Sequence, residues 1–113
     1  MYVTVTSLKL RSVWGFFKLS LFGLKISKQA KTEKGFIAMK NTGFGLLHYT
    51  LSCWQTEEDL KHFAHSGQHK EAMKSSARLA IEIRTYSYEA ATLPDWSTAK
   101  NLLLEKGKLL QFV

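Results

Sequence analysis

The order strand, helix, strand, strand, helix, strand predicts an α+β domain built as a split βαβ unit. Three observations lead there. Residues 2–10, 46–54 and 80–89 alternate side-chain character as half-buried strands do. Two helix starts separate them, Ser12 before a long apolar-periodic stretch and Thr56-Glu57-Glu58-Asp59 before a shorter one. A length of 113 residues, 45% of them hydrophobic, with a single proline, suits one folded domain over residues 1–113.

The first strand, residues 2–10, sets Val3 and Val5 against Thr4 and Thr6 and continues through Leu8 and Leu10. Ser12 is the expected cap of a helix from Val13 to Ala30. That helix carries two apolar stripes: Val13, Phe16, Phe17, Leu21 and Leu24 on one side, and Leu19, Phe22 and Ile26 well round from it. Arg11, Lys18 and Lys25 lie between them. A helix apolar on two sides is usually buried on two sides, which would lodge it between the sheet and the C-terminal helix. A roof over a ligand pocket and insertion at a membrane surface are the other placements.

A polar run, Lys31 to Gly35, leads to a short strand over 36–41. Thr42-Gly43-Phe44-Gly45 reads as a turn, because glycine reaches positive φ without steric cost. The clearest strand, Leu46 to Trp54, puts Leu47, Tyr49, Leu51 and Cys53 on one face and His48, Thr50, Ser52 and Trp54 on the other. Thr56 to Asp59 forms a capping box whose acids suit the helix dipole, and Leu60, Phe63 and Ala64 give the helix its apolar face. Gly67 is expected to break that helix, with a second piece from Gln68 to about Leu79. Ala80 to Glu89 is the fourth strand, with Ile81, Ile83 and Thr85 against Glu82, Arg84, Tyr86 and Tyr88. After Leu93-Pro94-Asp95, Ser97 to Lys106 is helical and Leu109 to Val113 is a short apolar tail.

The sum is a ferredoxin-like βαββαβ sheet with its helices on one face and an extra C-terminal helix. One face would carry Thr4, Thr6, His48, Thr50, Arg84, Tyr86 and Tyr88, a partly polar set. The face left bare by the helices must be covered, and pairing of two sheets in a homodimer is the ordinary solution.

Net charge is +7, yet the basic residues are dispersed; the densest group, Lys25, Lys28, Lys31 and Lys34, has Glu33 among them. No compact Lys/Arg run and no RNP1 pattern occurs, so no specific nucleic-acid partner is expected. No uncharged apolar stretch is long enough to predict a transmembrane segment. The N-terminus lacks a basic region ahead of an apolar run, and Cys53, the single cysteine, fits a reducing compartment, so a cytoplasmic location is expected. Gly-rich phosphate loops, Gly-x-Ser-x-Gly and Cys-x-x-Cys are all missing.

His65 and His69 have the spacing that places two imidazoles on one helical face. Gly67 lies between them, however, no glutamate follows His65, and His62 and His65 fall opposite the apolar face, so no metal site is expected. Trp54 either walls an aromatic pocket or plugs a strand end. His48 either lines a pocket or is a hydrogen-bonded structural histidine. Cys53 has the parity of a buried, inert thiol.

Residues 46–60, continued by Phe63-Ala64, Ser66-Gly67 and His69-Lys70-Glu71-Ala72-Met73, resemble the dimeric α+β barrel superfamily. Within it the chain is similar to antibiotic-biosynthesis-type monooxygenases and spheroidene monooxygenase-like proteins. The shared run is a strand ending in tryptophan, an acidic helix start, a Ser-Gly kink and a histidine-bearing helix. The resemblance implies a homodimer with a small cavity between sheet and helices, used in some members for metal-free oxygen chemistry on aromatic or isoprenoid molecules. Other members bind haem. Where the haem-degrading branch has its histidine ligand and a strand-one asparagine, this chain has Met73 and Thr6, which argues against haem degradation. His69, one helical turn before Met73, would serve instead.

The function so implied is a monooxygenase-like enzyme acting on a small apolar or aromatic molecule, with haem as the cofactor to test. Trp54 and His69 would be catalytic, His69 also ligating haem, and His48, Tyr86, Met73 and Thr6 would line the cavity. The alternative is a non-catalytic ligand-binding or interaction protein on the same scaffold.

Overall fold

A computed structural model describes residues 1–66, 74 and 78–111. Its elements are β1 (Tyr2–Leu10), α1 (Gly15–Thr32), β2 (Phe36–Phe44), β3 (Leu47–Trp54), α2 (Glu57–Ala64), β4 (Ala80–Glu89), α3 (Trp96–Lys106) and β5 (Lys108–Gln111). All strands pair antiparallel in one sheet of order β2-β3-β1-β4-β5. The first four strands in that order make the ferredoxin-like α+β fold. β1 lies between β3 and β4, and its Val3, Val5 and Leu10 are fully buried.

Local chemistry explains where elements begin. Thr56 caps α2 by accepting from the Asp59 N–H at 3.1 Å. Asp95 caps α3 through the Thr98 N–H at 2.7 Å. At α1 the expectation fails. The cap position is Trp14, without a side-chain hydrogen bond, and Ser12 contributes only its carbonyl, which accepts from the Gly15 N–H at 3.2 Å. Further departures sit at sheet edges. β2 runs on to Phe44, so the turn shrinks to Gly45-Leu46, with Gly45 at φ 63°. Glycine at the first position of a two-residue hairpin is a favoured arrangement. The apolar C-terminal tail forms a further strand: β5 pairs with β4 from Thr85–Lys108 to Glu82–Gln111. The expected break at Gly67 lies outside the described residues; Lys74, Arg78 and Leu79 are helical.

The core has two sides. On one, Trp54, Leu60, Phe63 and Ala30 cluster with Ile26, Phe36 and Tyr2, and Leu8, Leu10, Ala80 and Ile83 pack with Leu19. On the other, Val3, Val5, Leu51 and Cys53 meet Ala99 and Leu103 of α3. Helices therefore cover both faces of the sheet. α1 is not held between the sheet and α3, because α3 is drawn to the apolar Val3/Val5/Leu51/Cys53 face. The stripe of Phe17, Leu21 and Leu24 is left exposed. Register also divides the partly polar set: Val5 stands opposite both Leu51 and Tyr86. Arg84, Tyr86 and Tyr88 thus share the α3 side, and Thr4, Thr6, His48 and Thr50 the α1 side.

Candidate functional site

Pairing on the α1 side arranges short polar side chains into two adjacent rows. Thr4 lies opposite Ser52 on β3 and Ser87 on β4, and Thr6 opposite Thr50 and Thr85. β2 extends the rows with Met39 beside Ser52 and Asn41 beside Thr50. The hydroxyls are linked across strands. Thr4 bonds Ser87, Thr6 Oγ1 lies 3.2 Å from Thr85 Oγ1, and Thr50 donates to Asn41 Oδ1 at 2.9 Å. A hydroxyl can both donate and accept, so such a floor keeps capacity for a further partner.

α1 runs over this floor as a roof. Leu19 packs at one end with Leu8 and Ile83, Ile26 at the other with Trp54, and Ser27 donates to Met39 Sδ at 3.5 Å. Between them is Gly23, where an added Cβ would meet nothing within 4 Å. Thr4, Thr6 and Thr50 beneath stay half-buried. The floor is bounded at one end by the rings of Trp54, Phe63 and Phe36, and near its other end is a cleft of about 300 Å³ lined by Val13, Phe16, Gly43, Phe44, Gly45 and His48.

Trp54 forms the aromatic end. It is 0% exposed, stacked on Phe63 at 4.9 Å and edge-on to Phe36 at 5.7 Å. Its indole Nε1 is buried with no partner among the described residues. The ring is sealed behind Phe63 and Phe36. Of the two readings of Trp54, the strand-end plug matches this packing. His48 is at the open end, its Nε2 2.9 Å from the Gly45 carbonyl and its ring 5.2 Å from Phe16. Thr6 is in the middle of the floor. Tyr86 is on the other side of the sheet, stacked on Tyr88 at 5.4 Å, and so shares no cavity with Thr6 or His48. His69 and Met73 lie outside the described residues.

Asn41, Thr85 and Ser87 were not among the sequence candidates. Their signal was present: β1, β3 and β4 each carry a hydroxyl pair at i, i+2 (Thr4/Thr6, Thr50/Ser52, Thr85/Ser87), which only strand register brings together.

The α3 side has its own chemistry. Burial pushes the Cys53 thiol up, with Lys40 and the N-terminal amine opposing. Burial, then Cys53 and Tyr86, hold the Tyr88 phenol above its ordinary value. A second cleft of about 360 Å³ runs from Tyr88 along residues 90–95 to Leu102.

The described residues do not fit haem. Trp54 cannot stack on a flat macrocycle while enclosed by Phe63 and Phe36, and the His48 Nε2 is engaged with Gly45. The ring nitrogen Nδ1 of His65 is engaged too, 2.7 Å from the Lys61 carbonyl at the end of α2. Among the described residues, no three His, Cys, Asp or Glu side chains converge as metal ligands would.

The ferredoxin-like α+β fold is shared with solved structures of antibiotic biosynthesis monooxygenase proteins. A candidate antibiotic biosynthesis monooxygenase of Deinococcus radiodurans superimposes with a TM-score of 0.75 at 13% identity, over 84% of this chain and 97% of that one. A second, from Nitrosomonas europaea, gives 0.74 at 12% identity over 81% and 100%. SnoaB of Streptomyces nogalater, a cofactor-independent oxygenase, gives 0.69 at 9% identity over 83% and 97%. At these identities the likeness is one of fold. No protein-family model matches the chain, and no curated protein does.

Proposed function

We propose that this protein is a monooxygenase-like enzyme that holds a small, flat aromatic molecule bearing oxygen substituents in the groove under α1. The observation that carries the reading is the pair of hydroxyl rows, Thr4/Ser52/Ser87 and Thr6/Thr50/Thr85, set between the aromatic end at Trp54 and the open end at His48. Hydroxyls held in place by neighbouring strands can donate to ring oxygens, and they stabilise an anionic ring more than a neutral one. Where O2 reacts without a cofactor, the electrons come from the substrate. An electron-rich, readily deprotonated ring is therefore the required substrate class. Such a ring would enter past Phe16 and His48, with His69 the candidate proton carrier. Support for oxygen chemistry comes from the fold shared with SnoaB.

Binding without turnover is the second reading. It is favoured by the two polar rows, which contain no carboxylate, and by the engagement of the His48 Nε2 with Gly45. The working unit on either reading is a homodimer paired through the α3 side, where Tyr49, Tyr86 and Tyr88 remain half-buried.

The test is a thermal-shift screen of hydroxylated two- and three-ring aromatics, followed by oxygen uptake on the hits. A hit raises the melting temperature of the wild type, and Thr6→Val with Thr50→Val removes that shift while the unliganded protein still melts cooperatively. Oxygen uptake lost in His69→Ala supports the enzyme; binding with no uptake leaves the second reading. Shifts that survive both threonine changes would place the ligand elsewhere and end the groove proposal. Hemin belongs in the screen as a control. A stoichiometric Soret shift lost in His69→Ala or Met73→Ala would reinstate haem.

A further inference from the structure

α1 turns its larger apolar stripe to solvent. Trp14, Phe17, Leu21 and Leu24 recur at intervals of three and four and are 76%, 64%, 59% and 67% exposed. The Phe16–Phe17 rings (6.3 Å) and the Trp14–Phe17 rings (6.4 Å) form one cluster. The tip of the β2–β3 hairpin extends it: Phe44 is 94% exposed and borders the same cleft as Phe16. Scattered exposed apolar residues need no explanation, but a continuous ridge of this kind marks an interaction surface. The opposite side of the helix already serves the core through Leu19, Ile26 and Ala30.

Charge selects the occupant. From Arg11 to Thr32 the chain has Arg11, Lys18, Lys25, Lys28 and Lys31 and no carboxylate. All five cations are exposed, and no ion pair among the described residues engages them. A second copy docked α1 against α1 would set cations against cations. An anionic bilayer would neutralise them while its acyl boundary takes the ridge, the pattern of helices that lie in the interface plane. No helix among the described residues is long and apolar enough to cross a membrane.

We infer that α1 docks this protein on an anionic lipid surface, with Trp14, Phe17, Leu21, Leu24 and Phe44 entering the headgroup–acyl boundary. Lys18 and Lys25 then flank the inserted stripe, and Lys28 and Lys31 continue it at headgroup level. The inference holds whether or not the protein is an enzyme, although Phe44 also borders the cleft at the groove's open end.

Flotation of the intact protein with vesicles of phosphatidylcholine, alone or mixed with phosphatidylglycerol, tests it. The protein floats with the mixed vesicles, less with the neutral ones, and less again as salt rises. Tryptophan emission moves to shorter wavelength on binding, a shift absent in Trp14→Phe because Trp54 is already buried and Trp96 packs on the opposite side of the sheet, against Tyr49. The triple variant Trp14→Ser, Phe17→Ser, Leu21→Ser lowers partitioning about tenfold or more, with an unchanged melting temperature, since these side chains leave the core untouched. Lys18→Glu with Lys25→Glu removes the preference for anionic lipid. The inference fails if wild type does not float with the mixed vesicles, or if the triple variant floats equally well. It also fails if the triple variant instead splits an oligomer seen by sedimentation without lipid, which would assign the ridge to a second copy.

Discussion

Trp54 is the largest fully buried side chain, and its environment makes a graded prediction. Trp54→Ala empties a space between Phe63, Phe36 and Leu60 and should cost about 3–5 kcal/mol in urea unfolding. Trp54→Phe keeps most of the apolar contact and also removes an unpartnered indole N–H, so its cost should be clearly smaller. Equal losses would mean that the indole nitrogen has a partner in solution. Cys53 gives a second residue-scale test. Burial raises its thiol, so alkylation at neutral pH should wait for unfolding, as mass spectrometry against urea concentration would record. The burial of Cys53 was legible from its parity with Leu51, because a strand's period decides which face a side chain joins. The role of Trp54 was not: a strand-end tryptophan becomes plug or wall according to what packs over it, here Phe63 from a helix later in the chain.

At the scale of elements, caps and tight turns carry the predictions. Thr56→Ala removes the acceptor for the Asp59 N–H and should cost about 1 kcal/mol, with Thr56→Ser nearly neutral in the same melts. The hydrogen bonds from Thr98 hold the Asp95 carboxyl below its ordinary value of 3.8. A depressed carboxylate stabilises the fold above its unfolded pKa and loses that contribution as pH falls through its folded one. The stability gap between wild type and Asp95→Asn should therefore be widest near neutrality and close in acid below the ordinary carboxylate range. A gap unchanged by pH would show that the charge contributes nothing to the cap. Gly35, at φ 81°, sits so close to the Asp59 side chain that a Cβ would collide with it, and Gly35→Ala should destabilise through both strain and displacement of α2. The caps of α2 and α3 could be expected from a few adjacent residues. β5 could not, since a tail of four exposed residues becomes a strand only because β4 presents an unpaired edge.

For the whole molecule, the main question is what lies against the α3 side of the sheet. If two copies pair there, sedimentation velocity should give twice the chain mass, and Tyr86→Lys should return the protein to one copy by burying a charge opposite its mate. A wild type that sediments as one chain at every concentration would remove the dimer from the proposal. Much of the architecture was present in residues read one after another. Strand period, Thr56, the Pro94 break and the order of elements depend on neighbours in the chain, and they suffice for a split βαβ sheet. Three features needed the folded chain. Thr4, Thr6, Thr50, Ser52, Thr85 and Ser87 become one floor only when three strands distant in sequence come into register. Tyr86 leaves His48 for the opposite face because Val5, between their strands, sets the parity of both. The exposure of Trp14, Phe17, Leu21 and Leu24 depends on α3 choosing the far side of the sheet. A helix's periodicity shows that it has two apolar faces, but long-range packing decides which of them is buried.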